Sequence, residues 1–214
     1  GMKLEDISLK IINRVPVRED LNELYFPDDE YQAVPKDGYT KMVENILKHV
    51  NIKVTLNTVF SKEMESEYNH VFNSMPIDQY YNFCFGKLKY RSIKFHHIHV
   101  PVPKIFPVVQ VNFTNEGPYT RIIEWKNIPN HGINELWTSL TYEEPCSFED
   151  NNDERYYPVK DNSGSQNNLY QRYKSIENPK VTFIGRLGNY AYLDMDQCIN
   201  NALVLSNKYD IKLS

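Results

Sequence analysis

Seven arginines stand among the 214 residues, at positions 14, 18, 91, 121, 155, 172 and 186, and lysine far outnumbers them. A chain that uses lysine for solubility keeps arginine where a planar fork is useful, and a diphosphate is a ligand that such forks match. Arg91 follows Tyr90, Arg121 follows Tyr119-Thr120, and Arg186 lies in Gly185-Arg186-Leu187-Gly188. Tyrosine beside arginine suits a nucleotide-sugar site, and it suits a structural aromatic stack equally well. The Gly185–Gly188 step follows a strand-like run and precedes a helix-like one. That arrangement can turn backbone N–H groups and a helix N-terminus toward an anionic or electron-rich edge. A tight turn with a cap accounts for the same spacing, and on spacing alone it is the stronger reading. His96-His97-Ile98-His99 puts three imidazoles in four residues. Strand alternation sends His97 and His99 to one face and His96 to the other, so sheet-lining histidines are favoured over a metal site.

These side chains need elements to hold them. Pro35-Lys36-Asp37-Gly38-Tyr39-Thr40 is turn chemistry with Thr40 as a candidate helix cap, followed by Met42, Val43, Ile46, Leu47 and Val50 at helical spacing up to Asn51. Ile52, Val54 and Leu56 alternate as in a half-buried strand, and Val71-Phe72 reads as another, closed by Pro76. From Phe83 to Tyr142, Phe85, Tyr90, Ile93, Phe95, Val109, Val111, Phe113, Ile123 and Trp125 fall in short alternating runs between turns, which predicts an antiparallel sheet. Residues 147–153 and 161–168 read as polar loops, and Val181–Gly185 as a buried strand running into a glycine. Residues 194–208 read as the last helix. Asp194 caps it, Gln197 sits at capping-box distance, and Cys198 or Ile199, Ala202 and Leu205 lie on its apolar side.

Composition narrows the class. Hydrophobic residues make 41% and charged residues 24%, with a net charge of -4, a balance typical of a globular chain. No basic excess exists, which argues against a nucleic-acid partner or an anionic membrane surface. No apolar run approaches the roughly 20 residues of a bilayer span, and no secretory h-region opens the chain. The three cysteines, Cys84, Cys146 and Cys198, form no CxxC pair, so the cytoplasm is the default compartment. Gly1 ahead of Met2 reads as a cloning remnant. Tyrosine is abundant, at 16 residues, whereas the 8 glycines include no GxG step.

Several stretches together resemble the bacterial UDP-galactopyranose mutases. They are Arg14-Val15-Pro16-Val17-Arg18, Pro35–Thr40, Pro76-Ile77-Asp78, Phe85–Arg91, Tyr119–Glu124, Tyr156-Tyr157-Pro158-Val159, and above all Phe183–Asp196. The resemblance runs in order through nearly the whole chain, and it implies a flavoenzyme that interconverts UDP-galactopyranose and UDP-galactofuranose. In that family reduced FAD acts through N5 on the anomeric carbon, UDP leaves, and it returns once the sugar has reclosed as the other ring. By motif, Arg18 and Arg121 would hold the diphosphate, and Tyr31, Tyr156 and Tyr192 would add hydroxyl contacts. Arg91 would line the flavin and sugar end. Arg186 and Asp194 would act in catalysis and, with Met195, border the flavin.

The resemblance also sets out what differs. The family opens with a βαβ unit bearing GxGxxG, and it carries a helical domain; neither is recognisable in this sequence. Ser74-Met75-Pro76 carries Met where a glycine near the flavin is expected. The fold expected is α+β, a mostly antiparallel sheet domain with partial α/β elements of an FAD domain. Its segments would be a lead-in at 1–32, FAD-domain elements at 33–82, a substrate sheet at 83–178 and a closing strand and helix at 179–214. The chain alone is then expected to be an inactive C-terminal region. Its exposed edges would be covered by a second copy or by the missing half. The alternative is a non-catalytic UDP-sugar-binding or assembly module.

Overall fold

The computed structural model describes residues 19–21, 28, 30, 31, 33–129 and 134–209. The protein is α+β, with one five-stranded antiparallel sheet and one two-stranded parallel sheet. Among the described residues helix α1 (Gly38–Leu47) comes first, followed after a long irregular stretch by β1 (Val71–Asn73) and the single turn α2 (Ile77–Tyr80). The large sheet then forms from β2 (Tyr90–Val100), β3 (Gln110–Asn112), β4 (Arg121–Glu124), β5 (Thr138–Ser147) and β6 (Tyr157–Pro158). Helix α3 (Ser165–Lys174), β7 (Val181–Phe183), the turn α4 (Gly185–Gly188) and α5 (Met195–Lys208) complete the described chain.

The spatial order of the large sheet is β3-β4-β5-β2-β6, antiparallel throughout. Its backbone is the long pair β2–β5, in register from Arg91 opposite Ser147 to Val100 opposite Thr138. Cross-strand partners share a face. One face therefore carries Arg91, Ile93, Phe95, His97 and His99 of β2, Ser139, Thr141, Glu143 and Pro145 of β5, Arg121 and Ile123 of β4, and Gln110 and Asn112 of β3. The reverse face carries Tyr90, Ser92, Leu140 and Ile122, all buried. The histidines sort as alternation predicts. His97 and His99 bond to Thr141 and Ser139 on the first face, and His96 pairs with Glu144 on the second.

The core is built of tyrosines. Ile77, Leu88, Tyr90, Phe148, Tyr170, Tyr173 and Tyr190 form one buried cluster where α2, α3 and α4 meet the Tyr90 end of the sheet. A buried phenol needs a partner. Tyr190 donates toward Lys89 O (2.7 Å) or Val159 O (3.0 Å), and Tyr173 donates to Gly86 O (2.6 Å) and accepts from Phe85 N (3.0 Å). Glu124, fully buried at the end of β4, takes hydrogen bonds from Thr138 Oγ1, the N–H groups of Ile105 and Phe106, and Asn127 Nδ2. Burial alone would push this carboxyl up, but the donors outweigh it and hold it below the ordinary range.

In the small sheet, β1 and β7 pair in parallel, Val71 opposite Val181 and Asn73 opposite Phe183. His70 Nε2 lies 3.0 Å from Thr182 Oγ1, which lies 2.7 Å from the Tyr209 hydroxyl, so the far end of α5 is tied to this sheet. Gly185 turns the chain out of β7 with φ +71. A Cβ on Gly188 would stand 2.9 Å from Asn73 O, so only glycine lets α4 lie this close to β1.

Several expectations need correction. Asp37, not Thr40, precedes α1, and the helix ends at Leu47. Ile52, Val54 and Leu56 are exposed and irregular, because a strand needs a ladder partner and no described segment supplies one. Residues 165–168 belong to α3, whose buried side is Tyr170 and Tyr173. Within 147–153, Ser147 ends β5 and a 3-10 turn, Phe148–Asn151, follows it with Phe148 buried. Among the sheet residues, Phe85 falls in a turn and Trp125 in a 3-10 turn. The stripe Val43, Ile46 and Leu47 of α1 and the residues Ile199, Leu203 and Val204 of α5 are exposed.

Candidate functional site

The Arg121 side chain rises from β4 directly opposite Glu143 of β5, itself opposite Phe95 of β2. Its Nε is 3.1 Å from Glu143 Oε2, an ion pair whose angle does not make it a hydrogen bond, and its Nη1 donates to Gln110 Oε1 at 3.3 Å. Gln110 in turn donates to Asn112 Oδ1 at 2.9 Å. Glu143 is buried, which pushes its carboxyl above the ordinary range despite the opposing pull of Arg121.

Tyr156 joins this row from the chain leading into β6. Its N–H bonds to Arg91 O, and its ring lies 6.3 Å from that of Phe95. Burial raises the phenol, as do the neighbouring charge of Glu143 and the phenol of Tyr192, while Arg186 and Arg121 pull it down. One phenol thus lies within electrostatic reach of two guanidinium groups and a carboxylate, and it stays a proton donor at neutral pH.

Arg186 is the link to the closing segment. Its Nε and Nη2 donate to Leu193 O at 3.1 and 2.7 Å, and its Nη1 donates to Tyr156 O at 2.9 Å. Its Cζ stands 4.7 Å from the Tyr192 ring centroid and 5.7 Å from that of Tyr156. Three of its five N–H groups are spent on main chain, which leaves two for a ligand. Asp194 follows at once as the cap of α5, in a capping box with Gln197, whose Oε1 accepts from Asp194 N at 2.9 Å. Met195, the first residue of that helix, is exposed.

The structure therefore brings together Arg121, Tyr156, Arg186 and Tyr192, with Asp194 and Met195 at the adjoining helix end. Arg91 stands on the same face of β2, one end of the row away, opposite Ser147 and Tyr157. Tyr31 is 84% exposed and is not brought to the group. Arg18 lies outside the described residues. Glu143, Gln110 and Asn112 went unnoticed in the sequence, and Phe95 was read only as a sheet residue. Strand register was the signal for them, since each shares a face with Arg121. A hollow of about 280 Å³ lined by Phe60, Lys62, Met75, Gln79 and Tyr80 shares none of these side chains. Among the described residues no three His, Cys, Asp or Glu groups could hold a metal ion, and no helix is long and apolar enough to cross a membrane.

A flavin fits this arrangement at its ring end. Ligands of α/β sheets bind beyond the carboxyl ends of parallel strands. There Asn73, 6% exposed, spends Oδ1 on Met75 N (2.9 Å) and leaves Nδ2 without a partner. Gly188 lets α4 close onto the same end, where a Cβ would stand 2.9 Å from Asn73 O. For the diphosphate tail the sequence holds no GxGxxG cradle.

Comparison with known proteins places the chain. It is 36% identical over 218 residues to a dTDP-fucopyranose mutase of Escherichia coli, covering 98% of this chain and 56% of that protein. A Klebsiella pneumoniae protein described as a probable UDP-galactopyranose mutase is 35% identical, with 98% and 54% covered. A UDP-galactopyranose mutase of Mycoplasma pneumoniae is 31% identical, with 95% and 54% covered. The chain spans about half the length of the curated relatives it matches. The family in question is flavin-dependent and acts on UDP-sugars. Since the family model described as UDP-galactopyranose mutase matches residues 1–192, the chain belongs to the UDP-galactopyranose mutase family.

Proposed function

We propose that this chain is the sugar-nucleotide-binding half of a flavin-dependent mutase that interconverts UDP-galactopyranose and UDP-galactofuranose. The observation that carries the reading is the Tyr156 ring, 5.7 Å from the Arg186 guanidinium and 6.3 Å from Phe95, which shares its sheet face and its row with Arg121. Scattered guanidinium groups could not grip one diphosphate, whereas these share a neighbour. In this reading Arg18 and Arg121 neutralise the diphosphate, and Tyr156 and Tyr192 donate hydroxyl hydrogen bonds to it. Arg91 lines the sugar end. Arg186 keeps two N–H groups and its charge near the flavin edge, and Asp194 and Met195 border that edge where α5 starts. Reduced FAD, when bound, supplies the nucleophile for the anomeric carbon. The chain's own residues bind and orient the nucleotide and stabilise the departing diphosphate. Three free cysteines accord with a cytoplasmic setting.

The chain by itself is expected to purify colourless and to leave UDP-galactose unchanged, because it carries no glycine cradle for the flavin tail. It still binds UDP at about millimolar affinity, ~4 kcal/mol. Titration of UDP into the 15N-labelled chain, with absorbance at the flavin bands recorded in parallel, tests both statements. Absence of shifts at Arg121, Tyr156 and Tyr192 in millimolar UDP would sink the binding reading. A stoichiometric yellow complex would sink the statement on flavin. The E. coli relative makes dTDP the second nucleotide to titrate.

A further inference from the structure

Arg155 directly precedes Tyr156, and the two side chains diverge. The Tyr156 ring lies 6.3 Å from Phe95, which shares its sheet face with Arg121. The Arg155 guanidinium lies instead on the buried core, its Cζ 5.1 Å from the Phe148 ring centroid and 5.6 Å from that of Tyr90. A cation over ring faces is attracted by them, and the more so where water is excluded. Its Nε is buried and has no hydrogen-bond partner among the described residues. A seat on aromatic faces tolerates this, because the rings take up the charge that an oxygen would otherwise meet. Its Nη1 donates to Asp153 O at 3.2 Å. That bond closes a turn in which Asn152 and Asp153 both hold left-handed backbone, at φ +53 and +57. Two such non-glycine residues in succession are strained, and they persist only where their surroundings hold them. Downstream of the turn, Tyr156 N–H bonds to Arg91 O at 2.9 Å, and Tyr156 O accepts from Arg186 Nη1 at 2.9 Å.

We propose that Arg155 is a positioning residue for the Tyr156 phenol, fixing the chain that delivers this ring to the site. The inference rests on the function proposed above, which takes Tyr156 as a donor to the bound diphosphate. Arg155 acts through its neighbour, since its guanidinium is spent on the core rings and the turn. The two backbone bonds of Tyr156 hold the residue against β2 and Arg186, and Arg155 fixes the direction from which the chain arrives. Loss of the anchor releases the strained turn and lets the phenol drift from its place beside Arg186. Lysine in its place keeps a cation on the rings and loses the fork that reaches Asp153 O, whereas methionine keeps only the apolar stem.

The test is a double-mutant cycle in UDP affinity, read by titration into the 15N-labelled full chain. Tyr156→Phe removes the donor and should weaken UDP about three- to tenfold, the worth of one hydrogen bond. Arg155→Met should weaken it by a similar factor, with the Tyr156 and Arg91 amides shifted in the free protein. In the Tyr156→Phe background, Arg155→Met should change UDP affinity by less than about twofold, because the group it positions is gone. A merely structural role would lower the affinity equally in both backgrounds. Arg155→Lys should recover part of the loss. In the unmodified chain the Arg155 Nε–H resonance should lie upfield, shielded by the Phe148 and Tyr90 rings, a reading that needs no variant to fold. A random-coil position for that resonance overturns the inference. So does an Arg155→Met chain that binds UDP as the unmodified chain does, or that loses as much in the Tyr156→Phe background; if Tyr156→Phe alone still weakens UDP, the proposed function survives. Failure of the unmodified chain to bind UDP overturns both.

Discussion

Replacing Glu143 by Gln should tighten nucleotide binding, and the gain should depend on pH. In the free protein this buried carboxylate stands 3.1 Å from Arg121 Nε and claims the charge that a diphosphate would need. A phosphate taking its place on the guanidinium would come within about 5 Å of the carboxylate. One unit of repulsion at that distance is about 3 kcal/mol at an effective dielectric constant of about 20. The Arg121 side chain is 42% exposed, so solvent screening reduces this to about 1–1.5 kcal/mol, roughly tenfold in affinity. The sign with pH follows from burial, which raises the Glu143 carboxyl above its ordinary value. As pH falls toward that raised value the group takes up a proton and the repulsion fades. The ratio of UDP affinities, Glu143→Gln over unmodified, should therefore be about ten near pH 8 and approach one near the carboxylate range. The ratio cancels the titration of the UDP phosphate itself. The same shift means that ionising Glu143 costs folded-state stability as pH rises, so the variant should also melt higher at pH 8 than the unmodified chain, and not at pH 4. Calorimetric or NMR titrations from pH 5 to 8 give the ratio. A ratio that stays within twofold of one at every pH would refute the electrostatic reasoning.

Gly188→Ala should destabilise by about 2 kcal/mol, since its Cβ would meet Asn73 O at 2.9 Å and backbone cannot step aside; a thermal melt lowered by about 4–8 °C checks it. Glu124→Gln turns an acceptor into a donor among four donors and should cost about 3 kcal/mol at neutral pH. Because that carboxyl is held low, its contribution is full above the ordinary carboxylate value and disappears as pH falls through the folded value, so the two proteins should converge in acid denaturation. Arg186→Lys loses the fork that spans Leu193 O and Tyr156 O, and UDP should bind about tenfold more weakly, with the amides of 193–195 shifted in the free protein. Unshifted amides would show that the fork is not what holds this segment.

Where side-chain alternation and capping decide the outcome, the sequence was readable. The His96, His97 and His99 faces, the antiparallel character of the sheet, the Asp194–Gln197 cap and the strand ending before Gly185 all follow from local pattern. Helix α3 was hidden by its composition, because Ser165, Gln166, Asn167 and Asn168 read as loop and only Tyr170 and Tyr173 reach the core. The strand expected at Ile52–Leu56 failed for the opposite reason, since its pattern was right and its ladder partner was missing. Arg121 and Tyr156 could be named from their resemblance to a family, but Glu143 could not be noticed until register placed it between Arg121 and Phe95. A site made across three strands is a property of pairing, and no window along the chain contains it.

The bond between His70 and Thr182 joins residues 112 positions apart. Everything in the large sheet lies inside that span, so the chain must close its widest loop to make its smallest sheet. Loop-closure entropy and high contact order both put such a step late in folding. The three-residue strands β1 and β7 gain little from one another in return. The parallel pair and α5 should therefore open as a unit while the antiparallel sheet stays shut, and amide exchange would find two tiers of protection in one polypeptide. Anything that grips Arg186 and the start of α5 from the sheet side would hold the weaker tier closed.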